Sequence, residues 1–148
     1  MTISNLAKFN KTVSAILDIT FSKKPKQISP NLYNTHVASD AFIKKMTLEP
    51  AFSDTETDNF RPMTTEELAM VVIRKKAITL HSLGETVTGH VAPNGKCFTA
   101  GDILNAVVKH EMVARPKTNW FNGIDCHHVY FEGIDSSNGV DFHISWGS

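Results

Sequence analysis

Apolar side chains recur at spacings of three and four near the start of the chain, which is the period of an amphipathic helix. The stripe consists of Leu6, Phe9, Val13, Ile16 and Leu17. We therefore predict a helix over residues 2–20 and treat 1–21 as an arm of the chain. The stripe either packs on the chain's own core or forms a self-association face against a second copy.

The following stretch has weaker patterns. Ser22–Pro30 is polar and holds two prolines, which is typical of a connector. Ser and Asp at 39–40 predict a short helix running to Lys45, and the rest of 31–61 predicts no element. The spacing of Thr64 and Glu67 is that of a capping box, in which hydroxyl and carboxylate bond each other's backbone N–H groups. A short helix is therefore predicted to begin at Thr64.

Two strands are predicted by strict alternation of apolar and polar residues, at 77–83 and 85–91. Pro93-Asn94-Gly95 then predicts a tight turn, because Asn and Gly tolerate the positive φ of hairpin turns. We expect residues 96–98 to run back along the preceding strand.

The clearest predicted helix covers residues 100–114. Thr99 is suited to cap it, and Asp102 lies in the first turn, where the helix dipole favours negative charge. The predicted apolar face consists of Ile103, Leu104, Val107, Val108 and Met112.

A β-hairpin is predicted after this helix, with residues 135–139 as its connection. Its apolar residues are Val129, Phe131 and Ile134 on one arm and Val140, Phe142, Ile144 and Trp146 on the other. The aromatic pair Trp120-Phe121 is expected to plug the core ahead of it. These elements predict one α+β domain over 1–148, whose body at 62–148 packs an antiparallel sheet against the helix at 100–114.

Composition and charge narrow the classes of partner. Hydrophobic residues make up 41% of the 148 positions and charged residues 20%, as in ordinary globular domains. Fifteen Lys and Arg balance fifteen Asp and Glu, so no overall field attracts nucleic acid or an anionic membrane. Lys23, Lys24 and Lys26 are interpreted as solvated linker, and the apolar runs are too short to span a bilayer. We expect neither nucleic acid nor a membrane as partner.

The two cysteines, Cys97 and Cys126, have no CxxC neighbour and no signal peptide ahead of them. We expect both to be free thiols in a reducing, cytoplasmic compartment. Cys126 beside His127 raises the hypothesis of an activated thiolate. Neighbours on a strand point apart, which argues against that hypothesis.

Potential acid–base and metal-binding residues are densest at Asp125-Cys126-His127-His128. The parity of Val129 and Phe131 predicts that His127 is buried and His128 exposed. The outward-facing candidates for catalysis are then His128, Tyr130, Glu132, Asp141 and His143. This set either lines a reactive groove or belongs to a solvated sheet face. No ligand spacing indicates a metal, so neither a metal site nor a cofactor is predicted.

Three segments together resemble a domain of unknown function that is widespread in fungal proteins. They are Pro62 to Leu68, Phe98 to Leu104 with the helix that follows, and Phe131-Glu132-Gly133-Ile134 up to Trp146-Gly147-Ser148. In that family the middle segment looks like a Thr-Val-x-Asp-Val-Leu helix start, and here Ala100 stands in place of the Val. The resemblance covers about residues 60–148 and implies a compact α+β body, with no catalytic residue to carry over.

The motifs of several large enzyme classes, GxSxG, GxxxxGK(S/T), HExxH and GxGxxG, are absent. We therefore predict a non-catalytic binding or assembly module, with a homodimer as the simplest partnership. The alternative is a small hydrolase or metal-dependent enzyme that uses the hairpin face, with Tyr130 as proton donor.

Overall fold

The structure, a computed structural model, describes residues 4–22, 26–29, 35–37, 43–54, 57, 59–118 and 123–148. The helices in this part of the chain are Asn5–Thr12 (α1), Thr65–Leu68 (α2) and Ala100–Ala114 (α3), and a 3₁₀ turn, Arg115–Lys117, follows α3. None of these helices is long and apolar enough to cross a bilayer. The first residues of the helix predicted from 39 to 45 (39–42), the lysines at 23 and 24, and the aromatic pair at 120–121 lie outside the described residues.

The strands are Val13–Phe21 (β1), Lys26–Ser29 (β2), Thr35–Val37 (β3), Ile43–Asp54 (β4), Asn59–Pro62 (β5), Val71–Ile73 (β6), Ala77–His81 (β7), Val87–Val91 (β8), Phe98–Thr99 (β9), Gly123–Ile124 (β10), Tyr130–Asp135 (β11) and Asp141–Gly147 (β12). Seven of them form the main sheet, in the order β5-β4-β1-β11-β12-β7-β8. Within it β12 and β7 pair in parallel, and the other neighbours are antiparallel. Two small sheets, β10-β3-β2 and β6-β9, complete the described strands.

This architecture confirms a mixed fold of helix and mostly antiparallel sheet, with α3 packed on the sheet. The sheet is larger than predicted, because β1, β4 and β5 belong to it together with the strands after Ala77. Three local predictions are wrong. Residues 26–29, predicted to belong to a connector, form β2. Residues 43–45 begin β4 instead of ending a helix, and β9 pairs with β6 instead of returning along β8.

The prediction of one helix over residues 2–20 is wrong beyond Thr12. From Val13 onward the chain is rich in β-branched and apolar residues, and Val13, Ala15 and Leu17 are buried while Ile16 is exposed. That alternation fits a strand, and pairing with β4 on one side and β11 on the other stabilises it. The apolar spacing that indicates a helix is also compatible with a period of two after Val13.

Helix α1 is short but is fixed to the main sheet by the side chain of Asn10. The Asn10 side chain donates to the Ile134 carbonyl at 2.7 Å and accepts from the Ile134 N–H at 3.0 Å, as a neighbouring strand would. Gly133 beside it has a φ of 107°, and a Cβ there would lie 2.5 Å from the Asn10 Oδ1. Glycine is therefore required at this bulge in β11.

The predicted capping box at Thr64 and the predicted cap at Thr99 are both present, and Thr99 also forms a capping box. Thr99 and Asp102 bond each other's backbone N–H groups at the start of α3, and Thr64 and Glu67 do the same at α2. Arg61 of β5 reaches Glu67 with two hydrogen bonds of 2.7 and 2.9 Å. Hydrogen bonding from Arg61 lowers the pKa of Glu67 to about 2.

Candidate functional site

The main sheet has one covered face and one exposed face. Alternate residues of its strands join α1 and α3 in a single hydrophobic cluster, in which Phe9, Leu80 and Val107 are fully buried. The intervening residues point to the other face, where Ile16 is 51% exposed and Tyr130 is 47% exposed. We call this second surface the open face.

An apolar groove crosses the open face over β5, β4, β1 and β11, with a volume of about 710 Å³. Ile16 and Tyr130 are directly opposite each other on β1 and β11, and Phe60 of β5 is 66% exposed. Large apolar groups that stay exposed side by side are typical of an interaction surface. Arg61 at the groove's rim is held by Glu67 and by the Phe52 ring, 4.3 Å from its Cζ.

The open face that holds this groove also carries carboxylates, of which Glu49 lines the groove itself. The exposed acidic residues that the sheet register places on the open face are Asp18, Glu49, Glu132, Asp135 and Asp141. Lys45 is the only lysine or arginine that the register of the described strands places on the same face. The open face is therefore acidic although the whole chain is neutral.

The predicted catalytic residues of the hairpin share the open face but do not converge. Asp141 accepts from Thr79 at 2.5 Å, and the His143 ring lies 5.0 Å from the His81 ring at the same end of the hairpin. Tyr130 is opposite Gly147 at the other end, roughly 17 Å away along β11 at about 3.3 Å per residue. Among the described residues no group of three or more His, Cys, Asp or Glu could hold a metal ion.

His128 does not belong to the open face, and the parity prediction for it is wrong. It lies before the first residue of β11, in a loop that strand alternation does not govern. Asp125 organises this loop: its Oδ1 accepts the N–H groups of His127 at 2.9 Å and His128 at 3.0 Å. Its Oδ2 accepts the Nδ1–H of His128 at 2.7 Å. His128 thereby lines a cleft of about 640 Å³ with Lys117 and Glu85.

A fully buried arginine supports that loop from beneath. Arg115 donates to the carbonyls of Asp125 at 3.1 Å and His128 at 2.8 Å, and to the Glu111 carboxylate at 2.7 Å. Its Cζ lies 5.1 Å from the centre of the Trp146 ring. Burial opposes ionisation of Asp125, but hydrogen bonds from His128 and His127 outweigh it and lower the pKa of the Asp125 carboxyl.

A second series of hydrogen bonds between side chains runs from Glu111 toward β8. Ser82 donates its hydroxyl proton to Glu111 at 3.0 Å, so the His110 Nε2, also 3.0 Å from Ser82 Oγ, must carry the proton between them. The His110 Nδ1 then accepts from Thr88 at 2.7 Å, and Thr88 accepts from the His90 Nε2 at 2.7 Å. One tautomer of each histidine satisfies every contact.

This hydrogen-bond network is not a nucleophilic triad, although it contains Ser, His and Glu. In a triad the histidine accepts the serine proton and the carboxylate bonds the other ring nitrogen. Here Glu111 accepts the hydrogen bond of the Ser82 hydroxyl, Thr88 donates to the His110 Nδ1, and the His110 ring is fully buried. The network stabilises the fold.

The acid stability of the protein should depend on His110. Burial, together with His90, His81 and Arg115, lowers the pKa of His110 from 6.5 to about 4. The unfolded chain therefore binds a proton that the folded chain excludes, and stability falls as the pH drops from about 6.5 toward about 4. Burial also raises the pKa of Glu111, whose protonation favours the folded state at low pH and opposes this trend.

A comparison of wild type with His110→Asn isolates the histidine's part of this pH dependence. We expect the difference in free energy of unfolding between them to shrink as the pH is lowered from about 7 to about 4, as the linkage relation requires. Urea denaturation at several pH values measures it. A difference that stays constant over this range would contradict the assignment of a neutral His110 in the folded state.

The thiol hypothesis loses its basis in the structure. Burial raises the pKa of Cys126 to about 11, so the side chain is a protonated thiol near neutral pH. Cys97 and Cys126 are both free cysteines.

The predicted self-association stripe lies mainly within the protein's own core. Phe9, Val13 and Leu17 are buried, and Leu6 packs against the core cluster. Ile16 alone among the five is largely exposed, and it faces the groove of the open face.

The buried network was missed at the sequence level, although α3 carries a signal for it. His110 continues the buried spacing of Ile103 and Val107, and Glu111 and Arg115 are four apart, the spacing of a helical ion pair.

No protein-family model, curated protein or solved structure matches this chain, so the resemblance to a fungal domain stays a prediction.

Proposed function

We propose that the protein is a non-catalytic binding module whose open face docks a segment of a partner protein that carries basic and apolar side chains. The observation that supports this most is one exposed surface that holds the apolar groove and, on the same face, five carboxylates, with Glu49 in the groove itself. The apolar residues Ile16, Phe60 and Tyr130 supply the contact area, and aromatic residues in such positions often dominate binding energy.

The charge of the open face selects the kind of partner. Carboxylates on the same face as an apolar groove attract a cationic segment, speed its encounter and disfavour acidic competitors. A second copy docked open face to open face would bring two acidic surfaces together, so we favour a different, basic partner for this surface. Salt should weaken the complex, because the charges involved are exposed.

A displayed library of random 12-residue peptides, selected on the full-length protein, tests this proposal. We expect enrichment of peptides that combine Lys or Arg with Leu, Ile or aromatic residues. Phe60→Ser should weaken the selected peptides on the order of tenfold, as loss of a central aromatic contact does. Val140→Ser is the matched control, because Val140 is exposed but lies outside the groove.

A charge-reversing substitution measures the electrostatic contribution to peptide binding. Glu49→Lys should weaken the same peptides and reduce the salt dependence of their dissociation constants. Selection of peptides without basic residues, or peptides that bind Phe60→Ser as tightly as wild type, would refute the proposal.

We propose as the second candidate a hydrolase in which His128 acts as general base at its cleft. The buried Asp125, held by two backbone N–H groups, fixes the His128 ring through Nδ1, as the carboxylate of an Asp–His pair does in hydrolytic enzymes. Chromogenic carboxylic and phosphoric esters test it. This candidate is supported if the wild type and the His143→Gln variant hydrolyse an ester and the His128→Gln variant does not. Equal rates in all three proteins would refute it.

We also propose that the protein works in a reducing compartment, where Cys97 and Cys126 stay as thiols. Their free state in the fold supports this.

A further inference from the structure

Two histidines lie side by side on the open face, one on each strand of the parallel pair β7 and β12. His143 of β12 is the register partner of His81 on β7, and their ring centres are 5.0 Å apart with the ring planes tilted by 58°. The His143 side chain is 47% exposed, and His81 is partly exposed. A dissolved ligand can therefore reach both rings.

The fold does not use the ring nitrogens of this pair. Among the described residues neither His81 nor His143 forms a hydrogen bond through its ring. The Asp135 Oδ1 lies 3.8 Å from the His143 Nδ1, which is beyond hydrogen-bond range. By contrast, ring nitrogens of His110 and His128 are bonded to Thr88 and to a carboxylate. The lone pairs of His81 and His143 are left for an external ligand.

The separation of the two rings fits a shared metal ion. A tetrahedral Zn²⁺ holds imidazole nitrogens at about 2.0–2.1 Å, which places the centres of two bound rings about 5 Å apart. Imidazole suits Zn²⁺, Cu²⁺ and Ni²⁺, whereas Mg²⁺ and Ca²⁺ prefer oxygen ligands. The pair therefore has the spacing and the chemistry to chelate a transition metal ion.

We propose that His81 and His143 bind a divalent transition metal ion such as Zn²⁺, with water in the remaining coordination positions. Two protein ligands agree with the finding that no three such groups of the described residues could hold a metal together. Asp135 is opposite His143 on β11, and its carboxylate beside the Nδ1 favours a metal at the Nε2, as carboxylates behind metal-binding histidines do. The other carboxylates of the open face add attraction for a cation.

Isothermal titration of the full-length protein with zinc chloride, after treatment with a chelator and dialysis, tests the proposal. We expect His81→Asn and His143→Asn each to weaken Zn²⁺ binding by more than the roughly tenfold that loss of an outer-shell partner costs. Asp135→Asn should weaken it by a smaller factor. Circular dichroism should show an unchanged fold in all three variants, and Mg²⁺ should not compete, because it prefers oxygen ligands.

His128→Gln is the matched control, because the His128 and His127 rings are also 5.1 Å apart but the His128 Nδ1 is bonded to Asp125. It should bind Zn²⁺ as tightly as wild type. A wild type that binds no Zn²⁺, or binding that His128→Gln removes and His81→Asn keeps, would overturn the proposal. Phe60→Ser on the far strand β5 should leave the zinc affinity unchanged, so the metal site and the groove can fail independently.

Discussion

Replacement of Arg115 by methionine is expected to destabilise the protein by about 3–5 kcal/mol, as breaking a buried ion pair typically does. Arg115 is fully buried, and its loss would leave the Glu111 carboxylate without its cation. The carbonyls of Asp125 and His128 would lose their donor at the same time. Urea denaturation monitored by tryptophan fluorescence measures the change.

Arg61→Met is the matched control, because Arg61 also forms a two-bond ion pair with a glutamate. That pair lies at the surface, where water solvates both charges after the break, so we expect only a small fraction of the loss at Arg115. Equal losses at the two sites would contradict a structural role for the buried network.

Phe9→Ala is expected to cost about 3–5 kcal/mol, which is usual when a buried phenylalanine is truncated. Phe9 is fully buried and packs edge to face on Phe131, with ring centres 5.9 Å apart. Thermal and urea denaturation of the full-length chain measure the loss. It should appear equally at low and high protein concentration, because the contact lies within one chain.

Ile16→Ala serves as the control for Phe9, since Ile16 comes from the same predicted stripe but is half exposed. A surface truncation of this kind should change stability by less than about 1 kcal/mol. A small effect at Phe9 would mean that the N-terminal segment docks loosely, and the interpretation of 1–21 as an arm would regain support.

Local signals predicted local structure well. The capping residues Thr64 and Thr99 mark the starts of α2 and α3, and alternation located β7, β8 and the β11–β12 hairpin. Each of these features depends on residues within a few positions of one another, so short-range propensity and hydrogen bonding decide them.

The strands that the sequence did not predict are those stabilised by pairing with distant segments of the chain. Residues 43–54 have no clear alternation, yet they form the longest described strand because β1 and β5 bond it on both sides. Likewise the apolar spacing of residues 13–17 fits a helix until β4 and β11 are present. Such tertiary context commonly overrides local preference.

The same distinction between local and long-range interactions explains which site residues were placed correctly from the sequence. Parity correctly grouped Tyr130, Glu132, Asp141 and His143 on one face of the hairpin, because strand geometry dictates it. It failed for His128, which lies in a loop shaped by Asp125 and the distant Arg115. The predicted apolar face of α3 included Val108 and Met112, but the buried face contains His110 and Glu111 instead. Their polar groups form hydrogen bonds with Thr88, Ser82 and Arg115.

The order of strands in the main sheet has a consequence for synthesis of the protein. The β11–β12 hairpin lies between β1 on one side and β7 on the other, and it joins β5, β4 and β1 to the pair β7–β8. On the ribosome, the earlier strands must wait with unpaired edges until residues 130–147 have emerged. Chaperone protection during translation should therefore matter more for this chain than for a protein of equal size whose neighbouring strands are consecutive.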